Sequence, residues 1–206
     1  MRLILAHSDD AAARRLASLW GDDALLLTPA LLCAERMTLT VDRRGRAAAS
    51  LPSRPAVRAI VCRLGGVRCG DLSHVDSRDA AYAAAELDAF LRAFLAAWPG
   101  PVVNRPSDTC LNGPGWRPAQ WAAALAVAHP PQSAAGGGEV TVVGERWFGA
   151  VSDELGWALA AFAKASGCTL LRASISAAGT VDTADAWPDV SAPPVAEALR
   201  GLLEDA

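Results

Sequence analysis

An α/β fold is predicted by three features of this chain. Short apolar runs of strand length (Arg2–His7, Ala24–Thr28, Ala56–Leu64, Pro101–Asn104) alternate with helix-length stretches. Asp76–Trp98 carries Tyr82, Leu87, Phe90, Leu91, Phe94, Leu95 and Trp98 at three- and four-residue spacing, which makes one apolar helical face. Asp42–Gly45 and Gly144–Arg146 each place a glycine between two strand-like runs, the signature of hairpins at a sheet edge.

The elements follow in order. Arg2–His7 is an apolar strand. Ser8 or Asp9 can cap the helix that runs from there to Trp20, and Gly21 stops it. Ala24–Thr28 is a second buried strand. Met37–Val41 and Arg46–Leu51 flank the first hairpin turn. Ala56–Leu64 is a strand, and the Gly-rich Leu64–Ser73 that follows is a loop. Pro99–Gly100 ends the long helix. Pro101–Asn104 is a short strand, and Trp116–Ala128 is a second helix entered through Pro118. Gln132–Gly138 is a break in composition that reads as a flexible bridge. Beyond it come a hairpin (Glu139–Val143, Trp147–Val151), a helix (Leu155–Ser166) stopped by Gly167, strands at Thr169–Ser176 and Val181–Ala184, and a closing helix, Pro193–Leu203.

The bulk numbers exclude several classes. At 206 residues, 52% hydrophobic, the chain is long enough for one sizeable domain or a domain with an annex. A net charge of −3 and scattered arginines give no basic field for nucleic acid or an acidic membrane. No apolar run is long enough to span a bilayer, and the N-terminus lacks a secretory signal pattern. The five cysteines (Cys33, Cys62, Cys69, Cys110, Cys168) form no CxxC pair, so a reduced, cytoplasmic protein is expected.

Two blocks carry a family resemblance. In the first, YAAAEL (Tyr82–Leu87) is followed by PVVNRP (Pro101–Pro106), LNGPG (Leu111–Gly115) and a helix beginning around Trp116–Trp121. In the second, VTVVGERWFGAV (Val140–Val151) is followed by LAAFAKASGCTLLRASIS and AAGTVDTADAWPDV. In this order the motifs resemble the RimK-like ATP-grasp ligases, which join a carboxylate to an amine through an acyl phosphate. The resemblance implies a pre-ATP-grasp-like α/β domain over 1–132. It implies a small docked α+β remnant of the ATP-grasp C-terminal portion over 139–206.

The departures from the family pattern bear on activity. The resemblance implies that the ATP-gripping part belongs where only the bridge Ala134–Gly138 stands. An aspartate is expected at a position like Ser176, and a Glu-x-Asn-Pro motif where Asp185-Ala186-Trp187-Pro188 stands. Magnesium takes hard oxygen ligands, and an indole offers only an N–H. The one lysine, Lys164, lies on a helix unsuited to replace the family's nucleotide-binding lysines. Gly136–Gly138 lacks the Lys-Ser/Thr of a phosphate loop. The expectation is therefore a non-catalytic binding or accessory protein for a peptide or partner enzyme, with no cofactor and no metal. The alternative is a small ATP-grasp-derived enzyme using Mg–ATP, alone or completed by a partner subunit. A homodimer is a further expectation, because losing a lid exposes apolar surface.

Asn104 and Arg105 stand at a strand's carboxyl end, where open α/β sheets present ligands. Arg105 can hold a carboxylate in its planar fork, and Asn104 can equally tie down its own loop. Trp187 is a ligand-binding candidate through its amphipathic ring. Cys110, in the loop after that strand, and Asp185 are the candidate catalytic residues. A Ser8–His74–Asp76 triad and a Cys69–Asp71–His74 metal site can each be drawn, but chain proximity does not supply the geometry. His7, His74 and His129 otherwise read as surface or loop histidines.

Overall fold

The computed structural model describes residues 1–128, 130–132 and 136–204. His129 and most of the expected bridge, residues 133–135, lie outside the described residues. The chain forms two compact units, Met1–Asn112 and a second beginning at Gly113.

The first unit is built on a four-stranded parallel sheet. Its strands are β1 (Arg2–Leu5), β2 (Ala24–Leu27), β5 (Ala59–Cys62) and β6 (Val102–Val103), in the order β2-β1-β5-β6. Helix α1 (Ala11–Trp20) links β1 to β2 on one side, and α3 (Ala80–Ala97) links β5 to β6 on the other. Two right-handed crossovers running in opposite directions put their helices on opposite faces of one sheet. The residues follow that plan. Leu3, Leu5, Ile60 and Cys62 face the core that contains Leu91, Phe94 and Leu95 of α3. Ile4 and Val61, one residue out of phase, are equally buried, so the strands read as continuous apolar runs. A short helix that the sequence did not signal, α2 (Pro29–Leu32), follows β2, with Thr28 as its cap. The expected hairpin forms as β3 (Thr38–Val41) and β4 (Ala47–Ser50), and it packs on α3.

The second unit is built on an antiparallel sheet of β7 (Gly138–Val143), β8 (Arg146–Phe148), β9 (Leu170–Ile175) and β10 (Val181–Asp185), in the order β10-β9-β7-β8. Gly138, expected in the bridge, is a strand residue opposite Ile175. Gly144 makes the β7–β8 turn at φ +59°, a conformation open to glycine. Helix α5 (Asp153–Ala165) is capped by the Ser152 hydroxyl, has acids in its first turn and Lys164 in its last, and so suits the helix dipole at both ends. Helix α6 (Pro193–Glu204) closes the unit.

Helix α4 (Pro118–Ala128) corrects the expected division of the chain. The boundary at 132 would leave it with the first unit. Trp121 and Leu125 instead pack with Phe162, Leu159 and Ala184 in the second core, and the ring of Trp121 meets Phe162 edge-on at 6.1 Å. Among the described residues, no helix is long and apolar enough to cross a membrane.

Candidate functional site

In the first unit the sheet's connections diverge between β1 and β5. The crevice at such a point, beyond the strands' carboxyl ends, is where open α/β sheets bind ligands. Here it is filled by paired charges. Asp10 caps α1, accepting the Ala13 N–H at 2.9 Å, and its other oxygen accepts from Arg63 at 2.7 Å. Arg63 is only 6% exposed. Asp71 accepts from His7 Nδ1 at 3.0 Å and from the Arg68 backbone N–H at 2.7 Å. Arg68 Nε–H donates to His7 Nε2 at 3.2 Å, and its Nη1 reaches Asp9 at 3.2 Å. The two contacts define one tautomer, with the proton on Nδ1. A general base would take a proton at Nε2, and a guanidinium already sits there. The network binds two loops to α1 and leaves His7 without an open reactive nitrogen. The sequence reading missed it, although His7 and Arg63 each follow a parallel strand within two residues.

The expected site residues of this unit have structural partners. Asn104 is fully buried and adopts φ +50°, a left-handed conformation that asparagine tolerates. Arg105 donates to the carbonyls of Leu95, Ala96, Trp98 and Gly100, at 3.0–3.4 Å, and so closes the carboxyl end of α3. Its fork is therefore engaged by backbone oxygens rather than open to a carboxylate. Cys110 is buried, with its thiol against the Asn112 carbonyl at 3.5 Å, and burial pushes that thiol up from its usual range. A thiol so placed is a poor nucleophile. His74 is exposed, while Asp76 accepts from Arg78 and Asp71 from His7, so neither the triad nor the metal set assembles. Among the described residues, no cluster of three metal-ligating side chains exists.

In the second unit, Asp185 stands directly opposite Arg172 in the β9–β10 register. Leu171, Ala173 and Ala184 turn to the core, so the alternation sends Arg172, Asp185 and Glu139 to the other face. There Arg172 donates Nε–H to Asp185 Oδ2 at 2.9 Å, donates Nη2–H to the same oxygen, and reaches Glu139 from Nη1 at 3.3 Å. Its hydrogen bonds to the Asp185 carboxylate push the guanidinium's pKa further above its ordinary value. Asp185 Oδ1 accepts the backbone N–H of Trp187 at 2.8 Å. Both carboxylate oxygens are thus engaged, one by a fixed cation. Ser176 lies at the far turn, where its hydroxyl pairs with Thr180 at 2.7 Å. It stands four positions beyond Arg172, roughly 13 Å at strand rise, so Ser176 and Asp185 cannot share one metal ion. Trp187 is half-buried beside this pair.

The fold resembles that of solved ATP-grasp ligases. One is the ATP-grasp ligase PsnB complexed with precursor peptide PsnA2 and AMPPNP. It matches with a TM-score of 0.65 and 14% identity, over 98% of this chain and 98% of that one. Another is an RiPP-associated ATP-grasp ligase from Chryseobacterium gregarium in complex with ADP and a leader and core peptide. It matches at 0.62 and 9%, over 99% and 96%. The macrocyclase MdnC bound with precursor peptide MdnA, from Microcystis aeruginosa MRC, matches at 0.61 and 10%, over 100% and 99%. No protein-family model matches the sequence, and no curated protein does. At these identities the likeness establishes an ATP-grasp-ligase-like fold.

Proposed function

We propose that this chain is an ATP-grasp-shaped protein that recognises a peptide or partner enzyme in a peptide-modification, natural-product pathway and does not itself ligate. One observation carries the reading: the Arg172 guanidinium lies on Asp185, the acid that the family resemblance would assign to magnesium. A carboxylate already neutralised by a fixed cation offers little to a second one. Phosphoryl transfer depends on positioning and on neutralising phosphate charge, so a chain without that metal position lacks the central requirement. Two further points agree. Only residues 129–137 separate α4 from β7, too short a stretch for a nucleotide-gripping subdomain. The chain's one lysine stands at the carboxyl end of α5. The peptide side of the reading draws on the matched ligases, which are described in complex with precursor peptides.

Thermal melting with and without Mg–ATP tests it. A ligand that binds only the folded state must raise the melting temperature. The expected result is no shift at millimolar Mg–ATP. An upward shift of several degrees, or ADP release by the purified protein, would overturn the reading.

A further inference from the structure

A hollow of about 380 Å³ lies at the amino ends of β5 and β6, the edge of the first sheet opposite the charge-filled crevice. Its floor is apolar and buried: Leu51, Val57 and Trp98. Three exposed prolines, Pro52, Pro55 and Pro99, form its walls. Proline has a fixed φ and no backbone N–H, so these walls are stiff and add no donor. The floor is fixed as well. The Trp98 ring meets Phe94 at 5.6 Å, and its indole N–H donates to the Arg58 carbonyl at 3.4 Å. Arg105 holds the Trp98 and Gly100 carbonyls from behind. Only glycine fits at position 100, because an added Cβ would fall 2.1 Å from the Arg58 carbonyl oxygen. A hollow already rigid loses little freedom on binding.

The charges of the lining are two arginines, and among the described residues no acid joins them there. Arg54 is committed: its Nε and Nη2 both donate to one oxygen of Glu35, at 3.1 and 2.8 Å. Arg58 is not. Its Nη1 donates to the Pro55 carbonyl at 2.5 Å and reaches that of Val57 at 3.4 Å, which pins the guanidinium at the rim. Its Nε and Nη2, the edge that Arg54 gives to a carboxylate, meet no acceptor among the described residues, and Arg58 has no ion pair among them.

We propose that this hollow binds a small monocarboxylic acid with an apolar body. The carboxylate takes the Nε–Nη2 edge of Arg58 in two parallel hydrogen bonds, and the body lies on Val57 and the prolines. Charge selects the class. The one uncommitted charge of the lining is positive, so it repels an amine and adds little to a neutral amide. A phosphate dianion would bring two charges to one cation and leave the apolar floor uncovered. The volume lies near the low end for small-ligand clefts, ~300–1,000 Å³. The site stands wholly within the first unit, so the proposal goes beyond the peptide-recognition reading and does not rest on it.

Titration of the isotope-labelled full chain with phenylbutyrate, phenylbutyramide, acetate or inorganic phosphate tests it by NMR, read at the Trp98 indole N–H and the Gly100 amide. Phenylbutyrate should shift both signals saturably, with an affinity about five- to tenfold above that of its amide, the scale of a forked arginine–carboxylate contact at an exposed site. Acetate, which has no body, and phosphate should bind more weakly than phenylbutyrate. Arg58→Gln should remove the margin of acid over amide and leave the amide's affinity unchanged, with circular dichroism confirming the fold. Arg58→Lys keeps the charge without the fork and should keep only part of the margin. Equal affinity for acid and amide would overturn the proposal. So would an unchanged margin in Arg58→Gln, phosphate or acetate binding as tightly as phenylbutyrate, or no shift at Trp98 and Gly100.

Discussion

Replacing Arg172 by methionine tests the central contact of the second unit. The guanidinium makes two hydrogen bonds to one Asp185 oxygen and a longer one to Glu139. Glu139 is 61% exposed, so its share is small. Asp185 and Arg172 are 24% and 39% exposed, between a surface pair and a buried one. Surface pairs contribute ~0.2–1 kcal/mol, and charge-assisted hydrogen bonds ~1.5–3 kcal/mol. Solvent screening at this exposure puts the contact at about 1–2 kcal/mol. In a domain of under a hundred residues each kcal/mol moves the melting temperature by ~4–8 °C, so Arg172→Met should lower it by roughly 4–16 °C. Tryptophan fluorescence is the natural assay, because Trp116, Trp121, Trp147, Trp157 and Trp187 all lie in this unit. Asp185→Asn supplies the second arm of a double-mutant cycle, with an expected coupling of about 1 kcal/mol. A variant melting within about 1 °C of the parent, or two substitutions that simply add, would refute the pairing and with it the argument that a cation already occupies Asp185.

Two further outcomes are expected. Arg105→Ala should destabilise the first unit by about 1–2 kcal/mol in urea unfolding, because four carbonyls around the end of α3 lose their donor; Arg105→Lys should restore only part, since an ammonium cannot reproduce the planar fork. In the native protein at pH 8, a thiol reagent should modify the exposed Cys33 and Cys69 and spare Cys62, Cys110 and Cys168 until denaturant is added. Burial pushes the Cys62 thiol up to about 12 and raises Cys110 as well, so neither supplies thiolate at that pH; fast labelling of Cys110 would show that its loop opens.

The helices and strands were legible because their signals are local. Alternation of apolar runs, glycine stops and the spacing along Tyr82–Trp98 located most of the elements that form, to within a few residues at their ends. Short α2 was missed because four residues carry no period. The candidate site was less legible. Arg105 reads as a carboxylate fork from its place after a strand, but α3 ends within reach of it, and carbonyls there and just beyond engage both terminal nitrogens. His7 reads as a loop histidine until the Cys69–Asp71 turn folds back over β1 and sets Asp71 and Arg68 against it. Helix α4 reads as part of the first unit because it follows that unit in the chain, and only packing of Trp121 on Phe162 assigns it to the second.

By itself the sequence determined which residues form elements, the α/β class, and the presence of a single lysine. Tertiary structure alone decided the strand order β2-β1-β5-β6, the boundary after Asn112, and the partnership of Arg172 with Asp185. The reason is register. Thirteen positions separate those two residues, and a slip of one residue between β9 and β10 would send one of them to the opposite face of the sheet. Periodicity says that a strand has two faces; the pairing of strands says which charges meet across it.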